Sequence, residues 1–133
     1  MALARFREEI RAFLHFTERS VREKGLTPQQ HQALLMIKGS PSGTFTTVGE
    51  LARRLKLRHH SCVGLVDRME RAGLVRRSVD PRDRRYVRVT ITRKGEEVLR
   101  ELTREHLEEL ARIGWLTRIG QDLGAALEEG RAT

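Results

Sequence analysis

Leu3, Phe6, Ile10, Phe13, Leu14 and Val21 recur at spacings near three, four and seven, with Arg and Glu between them. This pattern predicts an amphipathic helix over residues 3–23. The helix is expected to end near Gly25, because Thr27-Pro28-Gln29-Gln30 supplies a capping threonine, a proline at the first helical position and a glutamine three residues after the cap. A second helix then runs to about Lys38, and Gly39, Ser40, Pro41, Ser42 and Gly43 make a short connection. Thr47 and Glu50 repeat the capping box ahead of Val48, Leu51 and Leu55, so a short third helix ends near Lys56. After a turn at Leu57 and Arg58, the residues Cys62, Leu65, Val66 and Met69 mark the buried stripe of a fourth helix that stops at Gly73.

From Leu74 the period changes from helical to alternating. Val75, Arg77 and Val79 alternate, Asp80-Pro81-Arg82-Asp83 supplies turn chemistry, and Val87, Val89 and Ile91 alternate with Tyr86, Arg88 and Thr90. This predicts a two-stranded hairpin with a charged tip. Helical pattern resumes after Thr92 through Val98, Leu99, Leu102, Leu107 and Leu110. It extends through Ile113, Leu116, Ile119, Leu123 and Leu127, with Gly114, Gly120 and Gly124 as places for a break.

A length of 133 residues makes a single domain, and 38% hydrophobic against 33% charged residues is a globular balance. The lone Cys62 excludes an internal disulfide and an all-cysteine zinc cage, and it fits a reducing, cytoplasmic setting. No apolar run exceeds residues 33–37, so neither a signal peptide nor a spanning helix is expected. The net charge of +8 is unevenly placed: residues 52–94 hold 14 basic and 4 acidic side chains, whereas residues 95–133 hold 5 and 9. A middle block of that sign attracts a phosphate backbone, which makes double-stranded DNA the first partner to consider. The block is not one amphipathic helix, which argues against a membrane surface. Enzymatic function finds no support, since the chain has neither a phosphate-binding glycine loop ending in Lys-Ser/Thr nor His-Glu-x-x-His. A non-specific architectural nucleic-acid protein would share the charge without needing a recognition helix.

Two short helices joined by a tight turn and followed by a basic hairpin is the order of a winged helix-turn-helix. Here the sequence resembles the MarR family of bacterial transcription regulators. The resemblance lies in Thr47-Val48-Gly49-Glu50-Leu51-Ala52-Arg53-Arg54-Leu55, in residues 58–75 from Arg58-His59-His60-Ser61 to Ala72-Gly73-Leu74-Val75, and in Asp80-Pro81-Arg82-Asp83-Arg84-Arg85 leading to Val89-Thr90-Ile91-Thr92-Arg93-Lys94-Gly95. It implies a mainly α fold with a small β-hairpin wing. A DNA-binding lobe at residues 26–95 would lie between dimerisation helices at 1–24 and 96–130. It also implies a homodimer, usually a repressor, on a pseudo-palindromic operator. His15, His31, His59, His60 and His106 have no dense acidic or cysteine cluster at ligand spacing, so neither a metal nor a cofactor is expected.

Within that frame Arg58, His59, His60, Ser61 and Val63 fall at the start of the recognition helix, where side chains meet bases and phosphates. Relatives often place a capping serine where Arg58 stands, so His60 or Ser61 would have to satisfy the first amides. Relatives often carry a longer polar side chain where this chain has Gly64. Either the backbone approaches DNA there or the earlier residues do the reading. Arg68 reads as a phosphate contact, and Asp67 as the partner of an arginine at the wing base. At the tip, Arg85 is the candidate for the minor groove, with Arg82 and Arg84 on the backbone and Asp83 orienting one of them; sequence does not separate Arg84 from Arg85. Cys62 sits on the apolar stripe and reads as a small buried residue. The oxidation-sensing branch of the family uses a cysteine in the first long helix, and none is present there. The resemblance further implies a small aromatic or phenolic ligand between the terminal helices and the winged lobe. Phe13, His15, Phe16, His31 and Trp115 are its candidate lining, although each also reads as core.

Overall fold

The computed structural model describes residues 1–132. Its elements run in the order α1 (Ala2–Glu23), α2 (Pro28–Lys38), β1 (Phe45–Thr47), α3 (Val48–Leu55), α4 (His59–Arg71), β2 (Val75–Val79), β3 (Val87–Ile91), α5 (Arg93–Arg112) and α6 (Trp115–Ala132). The capping box of α2 forms in full: Gln30 N donates to Thr27 Oγ1 at 3.2 Å and Thr27 N donates to Gln30 Oε1 at 3.0 Å. That of α3 forms by half. Thr47 Oγ1 accepts from Glu50 N at 3.1 Å, but the Glu50 carboxylate pairs with Arg53 one turn later instead of reaching back. A charged partner on the same face outcompetes a neutral amide for that carboxylate.

The hairpin belongs to a three-stranded antiparallel sheet of order β1-β3-β2, not to an isolated pair. Thr46 faces Val89 on one side of β3, and Arg77 faces the same residue on the other. A strand of three residues is too short to show a period, and Ser42 and Ser40 set it up through local bonds to the Phe45 backbone. Alternation in the hairpin fades outward: Val89 and Ile91 of β3 are buried whereas Val87 of β3 and Val79 of β2 are exposed, because the hairpin projects past the core. The last helical stretch divides at Gly114, whose φ of +58° suits a residue without a β-carbon, while Gly120 and Gly124 lie inside α6.

Leu34, Ile37, Leu51, Leu65, Val66, Met69, Leu74, Val89 and Leu102 make one core between α2, α3, α4, the sheet and the start of α5. The wing base is fastened to α5 by close backbone packing. Thr92 caps α5 by accepting from Gly95 N at 3.1 Å, its hydroxyl donates to Gly73 O at 2.5 Å, and its own N–H donates to Leu74 O at 3.0 Å. A β-carbon at Gly95 would lie 2.3 Å from Leu74 O, a distance that the backbone has to yield to. Gly95→Ala is therefore expected to destabilise the protein by about 1–3 kcal/mol through overpacking. A thermal unfolding curve coincident with that of the wild type would contradict this packing.

Candidate nucleic-acid interface

The α4 helix buries Cys62, Leu65, Val66 and Met69 and turns its other faces outward. At its N-terminus Arg58, His59, His60 and Ser61 are exposed, Val63 and Gly64 are half-buried, and Arg68 is exposed. No side chain caps the helix, so neither His60 nor Ser61 substitutes for a capping serine. The first amides of α4 remain open to an acceptor, and the aligned peptide dipoles favour an anionic one.

One arginine ties this helix to the wing. Arg77, on β2, places Nη1 2.6 Å from Asp67 Oδ1 and Nη2 3.1 Å from Glu70 Oε1, while its backbone N–H donates to Glu70 Oε2 at 2.9 Å. That backbone bond, joined by the Arg77 guanidinium, holds the Glu70 carboxyl below its ordinary range. The wing tip is braced in turn by Asp80. It accepts from Arg82 N at 2.7 Å and from Arg88 Nε at 3.2 Å, and the Arg88 guanidinium lies 4.0 Å over the Phe45 ring of β1. Asp83 grips Arg85, with Nη2 2.7 Å from Oδ2 and the backbone N–H 3.1 Å from Oδ1, which lowers the Asp83 pKa and raises that of Arg85. Asp83 thus aims Arg85 rather than Arg84. Arg82 and Arg84 are exposed.

All four carboxylates of residues 52–94 are consequently taken by Arg77, Arg85 and Arg88. Among the described residues Arg58, Arg68, Arg82 and Arg84 make no ion pair. The positive charge at the ends of α4 and the wing is left unneutralised while the parts that carry it are fixed.

Glu70, Arg77, Asp80, Arg88 and Phe45 are the supporting residues that sequence reasoning did not single out. The three-residue spacing of Asp67 and Glu70 on one helix face, opposite an alternating arginine, is the signal that would have found the first two. Cys62 is fully buried, its thiol donating to Val48 O at 3.7 Å, and burial pushes its pKa up, which makes it an inert packing residue.

A second cluster lies where α1, α2 and α5 meet. The His106 ring is edge-on to His31 at 5.3 Å, to Phe16 at 6.2 Å and to Phe13 at 6.4 Å between centroids, and its Nε2 is 2.8 Å from Ser20 Oγ. Among the described residues, His31 Nε2 is buried with no hydrogen-bond partner. Phe16 and His31 therefore share a site, but His15 does not. It is exposed and lines a groove with Phe6, Ile10, Leu14 and Glu18 on the other side of α1. The Trp115 side chain lies outside the described residues. His106 was missed because it sits in a Leu- and Glu-rich helix with no local sign of its neighbours.

Comparison with known proteins places this geometry. A family model described as MarR family matches residues 24–85. The HTH-type transcriptional regulator YkoM of Bacillus subtilis is 30% identical over 114 residues, covering 84% of this chain and 72% of that protein. The chain belongs to the MarR family. The transcriptional activatory protein BadR of Rhodopseudomonas palustris is 41% identical over 86 residues, 64% of this chain, and the match spans about half of BadR's length (49%). A MarR-family protein of Bacillus stearothermophilus superposes with a TM-score of 0.74 at 26% identity, covering 97% of this chain and 93% of that one. The fold read from the sequence, mainly helical with a small wing, is the fold of that family. Its members are transcriptional regulators and not enzymes.

Burial lowers both His31 and His106 from their ordinary value near 6.5, and for His31 the neighbouring His106 adds to the effect. The unfolded chain thus binds more protons than this MarR-family fold, so the stability is present above the ordinary histidine value and is lost as pH falls below it. Thermal unfolding should occur at a lower temperature at pH 5.5 than at pH 7.5, and His31→Phe should flatten that difference. Parallel pH profiles for the two proteins would contradict this effect of burial on the two histidines.

Proposed function

We propose that this chain is a homodimeric regulator that binds a pseudo-palindromic DNA operator, with one winged lobe on each half-site. The supporting observation is that Arg77 holds α4 and the wing as one unit on which, among the described residues, the exposed Arg58, Arg68, Arg82 and Arg84 have no carboxylate partner, while Arg85 is held by Asp83. A helix of this size fits the major groove, and Arg85 at the wing tip reaches the adjacent minor groove. Arg58, His59, His60, Ser61 and Val63 face bases and phosphates at the helix start, and Arg82 and Arg84 lie on the backbone.

The dimer reading rests on apolar side chains left uncovered at the two ends of the chain. Leu3 and Leu14 of α1, Leu107 of α5 and Leu127 of α6 are each more than half exposed, although α1 already packs on α5 and α6 through Lys24–Glu105, Arg5–Asp122 and Glu9–Arg118. A second copy covers such a stripe and sets two lobes apart. Residues 1–24 and 96–130 serve that role and residues 26–95 bind DNA. The Phe13, Phe16, His31 and His106 cluster, at the seam between these parts, is where a small aromatic or phenolic ligand would act on their angle and release the operator. The setting is cytoplasmic.

Repression follows from occupying the duplex. A second reading, activation, draws on the 41% identical relative that is described as activatory. A reporter fused to the bound promoter separates them by the sign of its response.

Arg85→Ala should weaken binding to a selected operator by roughly 5- to 150-fold at fixed salt with no change in oligomeric state. Unchanged affinity would remove Arg85 from the interface. Deleting residues 1–24 should give a monomer or an insoluble chain, and a soluble dimer would refute the helical interlock.

A further inference from the structure

Gly64 lies near the middle of α4, on the strip opposite the buried stripe, between His60 and Arg68 at four-residue spacing. Glycine weakens a helix interior relative to alanine, so a structural reason for it should be visible. The fold supplies none. Gly64 is not among the positive-φ residues, and among the described residues outside the helix's own backbone the one atom within 4 Å of an added β-carbon is Arg68 Nη1, at 3.4 Å. The nearest neighbour of the missing side chain is thus the guanidinium one turn later, which leans back toward the helix N-terminus as long helical side chains do.

That guanidinium is also free to be used. Asp67 and Glu70, the two carboxylates on α4, are both engaged by Arg77, and among the described residues Arg68 has no ion pair. A phosphate contact would need only its charge. A planar fork lying along the outward strip of the helix matches a base edge instead, and guanine O6 and N7 are the pair of acceptors it fits.

We propose that Gly64 and Arg68 form one specificity-determining unit. The absent side chain leaves a lane on the DNA-facing strip of α4, and Arg68 lies in that lane and reads one G·C pair in each half-site. The assignment rests on the DNA-binding reading above, and it replaces a phosphate role for Arg68.

The test is selection of bound duplexes from a random pool with the full-length wild type, followed by titration of Arg68→Lys and Gly64→Gln. Each protein is titrated on the selected duplex, on its single-base variants and on an unrelated duplex at fixed salt. Arg68→Lys keeps the charge without the fork, and Gly64→Gln fills the lane with a better helix former, so loss of folding is not the expected effect of either. Circular dichroism melting checks this. Both variants should lose discrimination at the same G·C position by roughly 5- to 150-fold, while Arg68→Lys binds the unrelated duplex as the wild type does, with the same salt dependence. Wild-type base preference retained in Arg68→Lys, or equal weakening on every duplex, would overturn the pairing while leaving the DNA-binding reading intact. A wild type that enriches no sequence would overturn both.

Discussion

The guanidinium of Arg77, clasped between Asp67 and Glu70, is the joint on which the geometry of the interface depends. The three side chains are each about one-third exposed, so the bridge adds little to global stability. Its consequence is positional. A two-stranded hairpin that projects beyond the core has few apolar contacts to fix its angle, as the exposed Val79 and Val87 show. A planar cation with several donors, bonded to two carboxylates one helical turn apart, fixes that angle through directed bonds. The same bridge offsets part of the negative charge of the two α4 carboxylates, which would otherwise repel a phosphate backbone more strongly.

The remaining supports repeat this logic at increasing distance from the helix. Asp80 holds Arg88 against Phe45 and accepts the Arg82 amide, and Asp83 holds Arg85. Thr92 and Gly95 lock the wing base to α5. Because α5 also carries His106 into the seam with α1 and α2, a change of charge or packing in that seam acts on an element bonded directly to the base of the wing. The terminal helices and the lobe are thus joined continuously through side chains and backbone.

The elements legible in the sequence are those with a strong period or an explicit cap. Residues 3–23, the Thr27 capping box, the stripe from Cys62 to Met69 and the alternation after Leu74 all correspond to observed elements within a residue or two. The family was legible from short motifs that combine a capping residue, turn chemistry and wing charge. What escaped was set by contacts between distant residues. A three-residue strand has no measurable period, Glu50 chose Arg53 over its own cap, and His106 met His31 across 75 positions of chain. Likewise, Arg77 reads as one member of an alternating strand until the structure places it against α4.

The coupling of helix and wing by Arg77 is tested most directly by footprinting wild type and Arg77→Gln on the same selected duplex, with major- and minor-groove probes in parallel. Arg77→Gln is expected to retain major-groove protection over the half-site and to lose minor-groove protection beside it. Minor-groove protection that persists at its wild-type position would show that the wing holds its place without this joint, and would contradict the account.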